Sequence, residues 1–379
     1  MATQALINPT LLRWARERLG LSLDDAAQSA NVKPERLEAW ESGESRPTFR
    51  QAQHLAHAFH APFGYLFLQE PPEELLPLPD LRTVGGVPVP RPSIDLLDTV
   101  RIALQRQEWY LEYQKDHGRD PLPFVGRFTA NSPVVEVAAD IRSVLNVAVE
   151  QGQRTWEAYF RDLIEAAERV GILVMRSGIV GNNTRRKLDV SEFRGFAISD
   201  PLTPVVFINS ADAPAARLFT LMHELAHIWI GASGISSVAP GNSRREETFC
   251  NAVAGEFLVP RELFWRLWHA GPAELSLLVA ELARRFHVSR LVIMRRAFDL
   301  GLIDQATYTD HYLATLAEFR TQDNNGGNFY RAAGAKNSRR FAQAVVTEAL
   351  SGRLLLREAG RLLGVQPNKI REFAEQIGV

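Results

Sequence analysis

The stretch Phe219-Thr220-Leu221-Met222-His223-Glu224-Leu225-Ala226-His227-Ile228-Trp229-Ile230 decides the fold of the central third of this chain. Pro214 stands at a first position a helix tolerates, with Asp212 close before it, so the spacing predicts a helix from Pro214 to Ile230. On that helix His223 and His227 are one turn apart and about 40° apart around the axis. Both imidazoles reach one ion from the same face, and Glu224 projects beside them. The neighbours are apolar on nearly every side, so the helix is expected to be buried. Two histidines and a carboxylate inside it are costly unless paired, and a metal ion satisfies all three. The bland alternative, histidines that only satisfy buried hydrogen bonds, leaves the carboxylate unexplained.

This spacing is that of a zinc-peptidase helix, with Glu224 as the base acting on a zinc-activated water. A catalytic zinc needs a third protein ligand and an open position. The position three residues after His227 is Ile230, where a metzincin has glycine. The position six residues after it is Ser233, where a metzincin has histidine. A glutamate on the next helix, Arg245–Leu258, is the alternative. Glu247 is preferred, because Cys250, Asn251, Ala254 and Leu258 share its less bulky face. Glu246 is the other candidate, on the more solvated side. Cys250, the only cysteine, is read as a small hydrophobe rather than a ligand.

Upstream, Thr155–Val170 reads as a helix, and Gly171–Met175, Phe193–Ile198 and Pro204–Ile208 read as strands. Phe193–Ile198 is the expected edge of the sheet, where a substrate would add as a strand. Arg194 and Phe196 are its candidate substrate-binding residues. The Gly231–Ser243 segment is rich in glycine and serine and reads as a loop.

Residues 219–227, followed by Glu247, Asn251, Ala254 and Phe257-Leu258-Val259-Pro260, resemble the ImmA/IrrE family of metallopeptidases. Phe193–Ala197 and Val206–Asn209 are similar to that family's strands, and the likeness covers about residues 155–300. It implies a zincin-like core holding one Zn2+ per chain on His223, His227 and a glutamate, with Glu224 as base. It also implies cleavage of a helix-turn-helix repressor in a stress or mobile-element response.

Ser22–Trp40, with a turn at Asn31-Val32, resembles the Xre/Cro-type helix-turn-helix family over about residues 8–68. Lys33 and Arg36 are its candidate nucleic-acid contacts. The seven cations and seven anions of residues 1–50 cancel, and phosphate contact dominates DNA affinity. Docking of a protein is therefore the competing use of this module. A second helix-turn-helix-like segment is read at Leu282–Ala297, with Arg284 and Arg285. From Arg331 to the end nine cations face four anions, and Arg339 and Arg340 are candidate nucleic-acid contacts there.

The expected architecture is α+β and mostly helical. A helix-turn-helix bundle (1–70) leads through a proline-rich linker and helical connector (71–150) to the peptidase core with its small sheet (151–270). A helix-turn-helix-like segment (271–322) and a basic helical region (323–379) follow, with a break at 324–327. The 379 residues are 46% hydrophobic and 23% charged, with net charge −1. That excludes whole-chain disorder and any general attraction for nucleic acid. One cysteine excludes a disulfide scaffold and suits the cytoplasm. No run reaches about 18 apolar residues, so no membrane span is expected. The competing function is a non-enzymatic, DNA-binding regulator whose peptidase-like domain is structural.

Overall fold

A computed structural model describes residues 3–80, 83–84, 87–88, 92–148, 155–236, 244–272, 274–311 and 336–378. The break at 324–327 and Arg331 lie outside them. The chain divides into two compact units: Met1–Leu76 with Arg91–Leu97, and Pro77–Pro90 with Asp98–Val379.

In the first unit α1 (Pro9–Glu17), α2 (Leu23–Ser29), α3 (Pro34–Ser42) and α4 (Phe49–Ala58) enclose Leu12, Leu37, Trp40, Leu55 and Phe59. Each start has a local cause. Asn8 and Ser22 accept from the backbone amides of Thr10 and Asp25, and Thr48 forms a capping box with Gln51. Pro34 opens α3, and Gly43 ends it with φ +82°. Ala26 and Ala27 are buried on α2, the small residues the helix crossing needs.

The second unit contains β1 (Thr83–Val84) paired with β2 (Val87–Pro88), the part of α5 (Ile94–Asp116) from Asp98 on, α6 (Val134–Leu145) and α7 (Trp156–Arg169). Then come β3 (Leu173–Ser177), β4 (Gly195–Ile198), β5 (Val205–Asn209), α8 (Pro214–Trp229), β6 (Gly234–Ser236) and α9 (Arg245–Leu258). The helices α10 (Arg261–Ala270), α11 (Leu275–Phe286), α12 (Arg290–Asp299), α13 (Arg339–Leu350), α14 (Leu356–Leu363) and α15 (Ile370–Ile377) follow.

The sheet order is β3-β5-β4-β6, with β3 parallel to β5 and β4 antiparallel to both its neighbours. The expected edge at Phe193–Ile198 is thus corrected: β4 is an interior strand. Part of the segment read as loop forms β6 and covers it. The Ile235 amide on the outer side of β6 donates to the Pro79 carbonyl at 3.0 Å, so the proline-rich segment caps that edge in turn.

Helix α8 lies between this sheet and α9. Leu221, Leu225, Ile228 and Trp229 share one core with Val174, Val206 and Ile208 of the sheet and Cys250, Val253 and Phe257 of α9. Trp229 stacks on Phe124 at 4.6 Å and donates to Asp140 at 2.7 Å. The same core takes in Leu278, Leu282 and Phe286 of α11 and Ile293 and Met294 of α12. No described helix is long and apolar enough to cross a membrane.

Candidate metal centre

The apolar surroundings of α8 bury His223, Glu224 and His227 completely, and α9 buries Glu247 against them. His227 Nε2 is 3.1 Å from His223 Nε2 and 3.0 Å from Glu247 Oε1. His223 Nε2 is 3.5 Å from Glu247 Oε2. Metal–ligand bonds of about 2.0–2.1 Å in a tetrahedral site place ligand atoms about 3.3–3.4 Å apart. These three side chains are the group of possible metal ligands among the described residues, and their spacing suits a divalent ion.

Hydrogen bonding agrees with that use. His223 Nδ1 lies 3.0 Å from Asn251 Oδ1. The amide oxygen only accepts, so Nδ1 carries the proton and Nε2 presents its lone pair to the cluster. Burial, opposed by Glu247, lowers the pKa of His227 and favours its neutral, ligating form. Burial alone would raise the Glu247 carboxyl, but the His223 and His227 imidazoles outweigh it and hold the group below the ordinary carboxylate range. Glu224 moves the other way. Burial first, then the Glu247 charge, push its pKa well up, while the Ser236 hydroxyl acts in the opposite direction. Neither Glu224 oxygen has a hydrogen-bond partner among the described residues. A buried carboxyl without a partner is costly, and a cation with a water beside it would relieve that cost. The donor set therefore fits a metal.

Glycine at 195 makes the closeness possible. An added side-chain carbon there would lie 2.8 Å from Glu224 Oε1, from Thr220 Cγ2 and from the Phe207 carbonyl oxygen. The antiparallel pair Gly195–Ser236 then turns the Ser236 hydroxyl toward the same face.

Residues 167–298 match the family described as IrrE N-terminal-like domain, and residues 12–66 match the helix-turn-helix family. The chain carries an ImmA/IrrE-type peptidase domain behind an N-terminal helix-turn-helix domain. Residues 337–376 match a domain of unknown function. The radiation response metalloprotease IrrE of Deinococcus radiodurans is similar, at 37% identity over 98 residues, covering 24% of this chain and 29% of that protein. The chain thus spans under a third of that relative's length.

In the IrrE-like domain Glu247 joins the two histidines, whereas Glu246 is exposed. Cys250 is buried nearby, with its thiol pKa pushed well up by burial and the adjacent carboxylates. It stays a neutral thiol. Phe196 does not line the site. It is fully buried and stacked on Phe207 at 4.8 Å, on the face of β4 opposite Gly195. Arg194 is partly exposed, 3.7 Å from the buried Asp212 carboxylate.

The candidate nucleic-acid contacts fall into two groups. Lys33, Arg36, Arg284 and Arg285 are exposed, and Arg36 lies over the Trp40 ring at 5.2 Å. Arg340 instead donates to Tyr110 Oη at 2.9 Å and to the Glu168 carbonyl at 3.3 Å, while the Arg339 guanidinium donates to the Ile377 carbonyl at 3.3 Å. Arg340 is engaged inside the unit, between α13, α5 and α7, whereas Arg339 remains exposed. In the helix-turn-helix domain Arg16 forms a two-point ion pair with buried Glu41 at 2.8 and 2.9 Å, and Arg18 pairs with Glu74 at 2.6 Å. Both cations are thereby withdrawn from any phosphate contact.

Sequence reasoning missed Ser236 and Gly195, and it gave Asn251 no role. Asn251 was accessible, since it sits one turn after Glu247 on the same face. Ser236 and Gly195 depend on strand register, which no local pattern carries.

Proposed function

We propose that this protein is a zinc-dependent endopeptidase of the cytoplasm that cleaves one or a few specific proteins, foremost a helix-turn-helix transcriptional repressor, and so relieves repression. The observation that carries the reading is the convergence of His223, His227 and Glu247 in one buried cluster, with the unpartnered Glu224 carboxyl beside it. The repressor as substrate and the stress-response setting rest on the family likeness and on the description of the Deinococcus relative.

His223, His227 and Glu247 hold the ion. When bound, zinc polarises the scissile carbonyl and acidifies water at its open position. Asn251 fixes the tautomer of His223. Burial holds the Glu224 pKa well above its ordinary value in the chain alone, and a cation in the site would favour its carboxylate form. Glu224 takes the proton from the attacking water at a carboxylate oxygen and passes it to the leaving amine. The packed faces of α8, α9 and β4 exclude bulk water from these groups.

Expression of wild type and Glu224→Gln in the native cell, followed by a comparison of new protein N-termini, tests this reading. The expected result is a small set of N-termini made only by wild type, with metal content equal in the two. Identical sets would refute the assignment of Glu224 as base.

DNA binding through the helix-turn-helix domain is the second reading, favoured by the exposure of Lys33 and Arg36. Under the regulator alternative, Glu224→Gln leaves DNA binding and target-gene output unchanged and no N-terminus is lost.

A further inference from the structure

Ser236 is the one polar side chain that β6 delivers to the cluster, and strand register puts it there. It stands opposite Gly195 in the β4–β6 pair, and directly opposed residues of an antiparallel pair share a face. That face looks at α8, because a side-chain carbon on Gly195 would meet Glu224 and Thr220. The Ser236 side chain is fully buried. Its Oγ lies 3.2 Å from Glu247 Oε1 and 3.5 Å from His227 Nε2.

A buried hydroxyl needs an acceptor. Two lie within hydrogen-bond distance, His227 Nε2 and Glu247 Oε1; the Glu224 oxygens, although the hydroxyl influences them, are not within that distance. The Nε2 lone pair of His227 is the one directed at the ion, which leaves the Glu247 carboxylate. We propose that Ser236 is a positioning residue of the metal centre: its hydroxyl donates to Glu247 and holds that carboxylate in its ligating orientation. The inference rests on the metal-centre reading above and adds to it a residue supplied by the sheet rather than by the two helices.

Glutamate is among the side chains that lose most rotamer freedom on ordering. A glutamate already fixed by a hydrogen bond presents its oxygen without that loss falling on the binding step. His223 is fixed in the same way by Asn251. Ser236 does for the carboxylate ligand what Asn251 does for the imidazole, and such outer partners alter metal affinity by about 10–100-fold.

The test is a Co2+ titration of the full-length, metal-free protein in competition with a chelator, reading both the dissociation constant and the visible absorption of the bound cobalt. Ser236→Ala and Ser236→Gly each remove the hydroxyl without adding volume. Both variants are expected to bind Co2+ about 10–100-fold more weakly, with an absorption envelope changed from that of wild type. Wild-type affinity in both overturns the proposal. A loss in Ser236→Ala that Ser236→Gly does not share also overturns it, because packing and not the hydroxyl would then be responsible. A wild type that takes up no Co2+ overturns the metal centre itself, and this inference with it.

Discussion

Replacing Gly195 by alanine attacks the site from the sheet side, and the structure sets the size of the effect. The new carbon would lie 2.8 Å from three atoms: Glu224 Oε1, Thr220 Cγ2 and the Phe207 carbonyl oxygen. Favourable contacts between carbon atoms lie at about 3.5–4.0 Å, so the overlap with Thr220 approaches 1 Å. Glu224 Oε1 is the end of a side chain and gives way. Phe207 O belongs to the backbone of β5, and Thr220 is packed on α8, so these yield only if β4, β5 and α8 separate. Overpacking of this kind costs about 1–3 kcal/mol. At about 2–4 °C per kcal/mol for a domain of this size, the metal-free melting of the IrrE-like unit should fall by about 2–12 °C. The functional loss should exceed the stability loss, since displacing a reacting group by about 1 Å costs on the order of 100-fold in rate. Zinc content should stay near that of wild type, because the two histidines and Glu247 are not pressed directly. Differential scanning fluorimetry, metal analysis and cleavage of a partner identified by N-terminal profiling measure the three quantities. A Gly195→Ala protein with wild-type melting and wild-type cleavage would refute the claim that β4 and Glu224 are in closest approach here.

Three further predictions follow from the same geometry. Burial raises the Glu224 pKa, so folding favours its protonated form; the stability this contributes is complete below the ordinary carboxylate range and is lost as pH rises through the raised value. Metal-free Glu224→Gln should therefore match wild type near pH 4 and exceed it by about 1–3 kcal/mol at pH 8, and urea unfolding that shows no pH-dependent gap would contradict this. Asn251→Ala should weaken metal binding by about 10–100-fold by freeing the His223 tautomer, read by chelator competition, and unchanged affinity would remove that role. Arg340→Ala should cost about 1–3 kcal/mol of stability through its lost hydrogen bonds and leave the salt dependence of any DNA binding unchanged, whereas Lys33→Ala or Arg36→Ala should lower the salt slope by about 1; the reverse pattern in a fluorescence-anisotropy titration would show that the tail carries the contact.

The parts of this site that were readable from sequence are those set by one helix at a time. His223, Glu224 and His227 follow from the helical period, and Glu247 from the small face it shares with Cys250, Asn251 and Ala254. The helix-turn-helix was legible for the same reason, with Ser22, Pro34 and Gly43 marking its boundaries. Whatever depends on two segments meeting was not legible. Gly234–Ser236 reads as loop because a three-residue strand has no periodicity of its own; its pairing with Ala197, Phe196 and Gly195 makes it a strand. That pairing covers the strand expected at the edge and brings Ser236 to the metal cluster. Phe196 illustrates the same limit. Alternation tells that Gly195 and Phe196 face opposite ways, and only the position of α8 tells which of them faces the chemistry. Charge counting met a related limit at Arg339 and Arg340, whose acceptors are the Tyr110 hydroxyl and two backbone carbonyls. Formal charge does not register such partners.

The proposed chemistry stands on a metal ion held by His223, His227 and Glu247. Zinc per chain in the purified protein, measured for wild type beside Glu247→Ala and Glu246→Ala, tests it most directly. Near-stoichiometric zinc is expected in wild type and Glu246→Ala, and its loss in Glu247→Ala. A wild type that neither contains zinc nor takes it up on titration, or a Glu247→Ala protein that keeps its zinc, would contradict it.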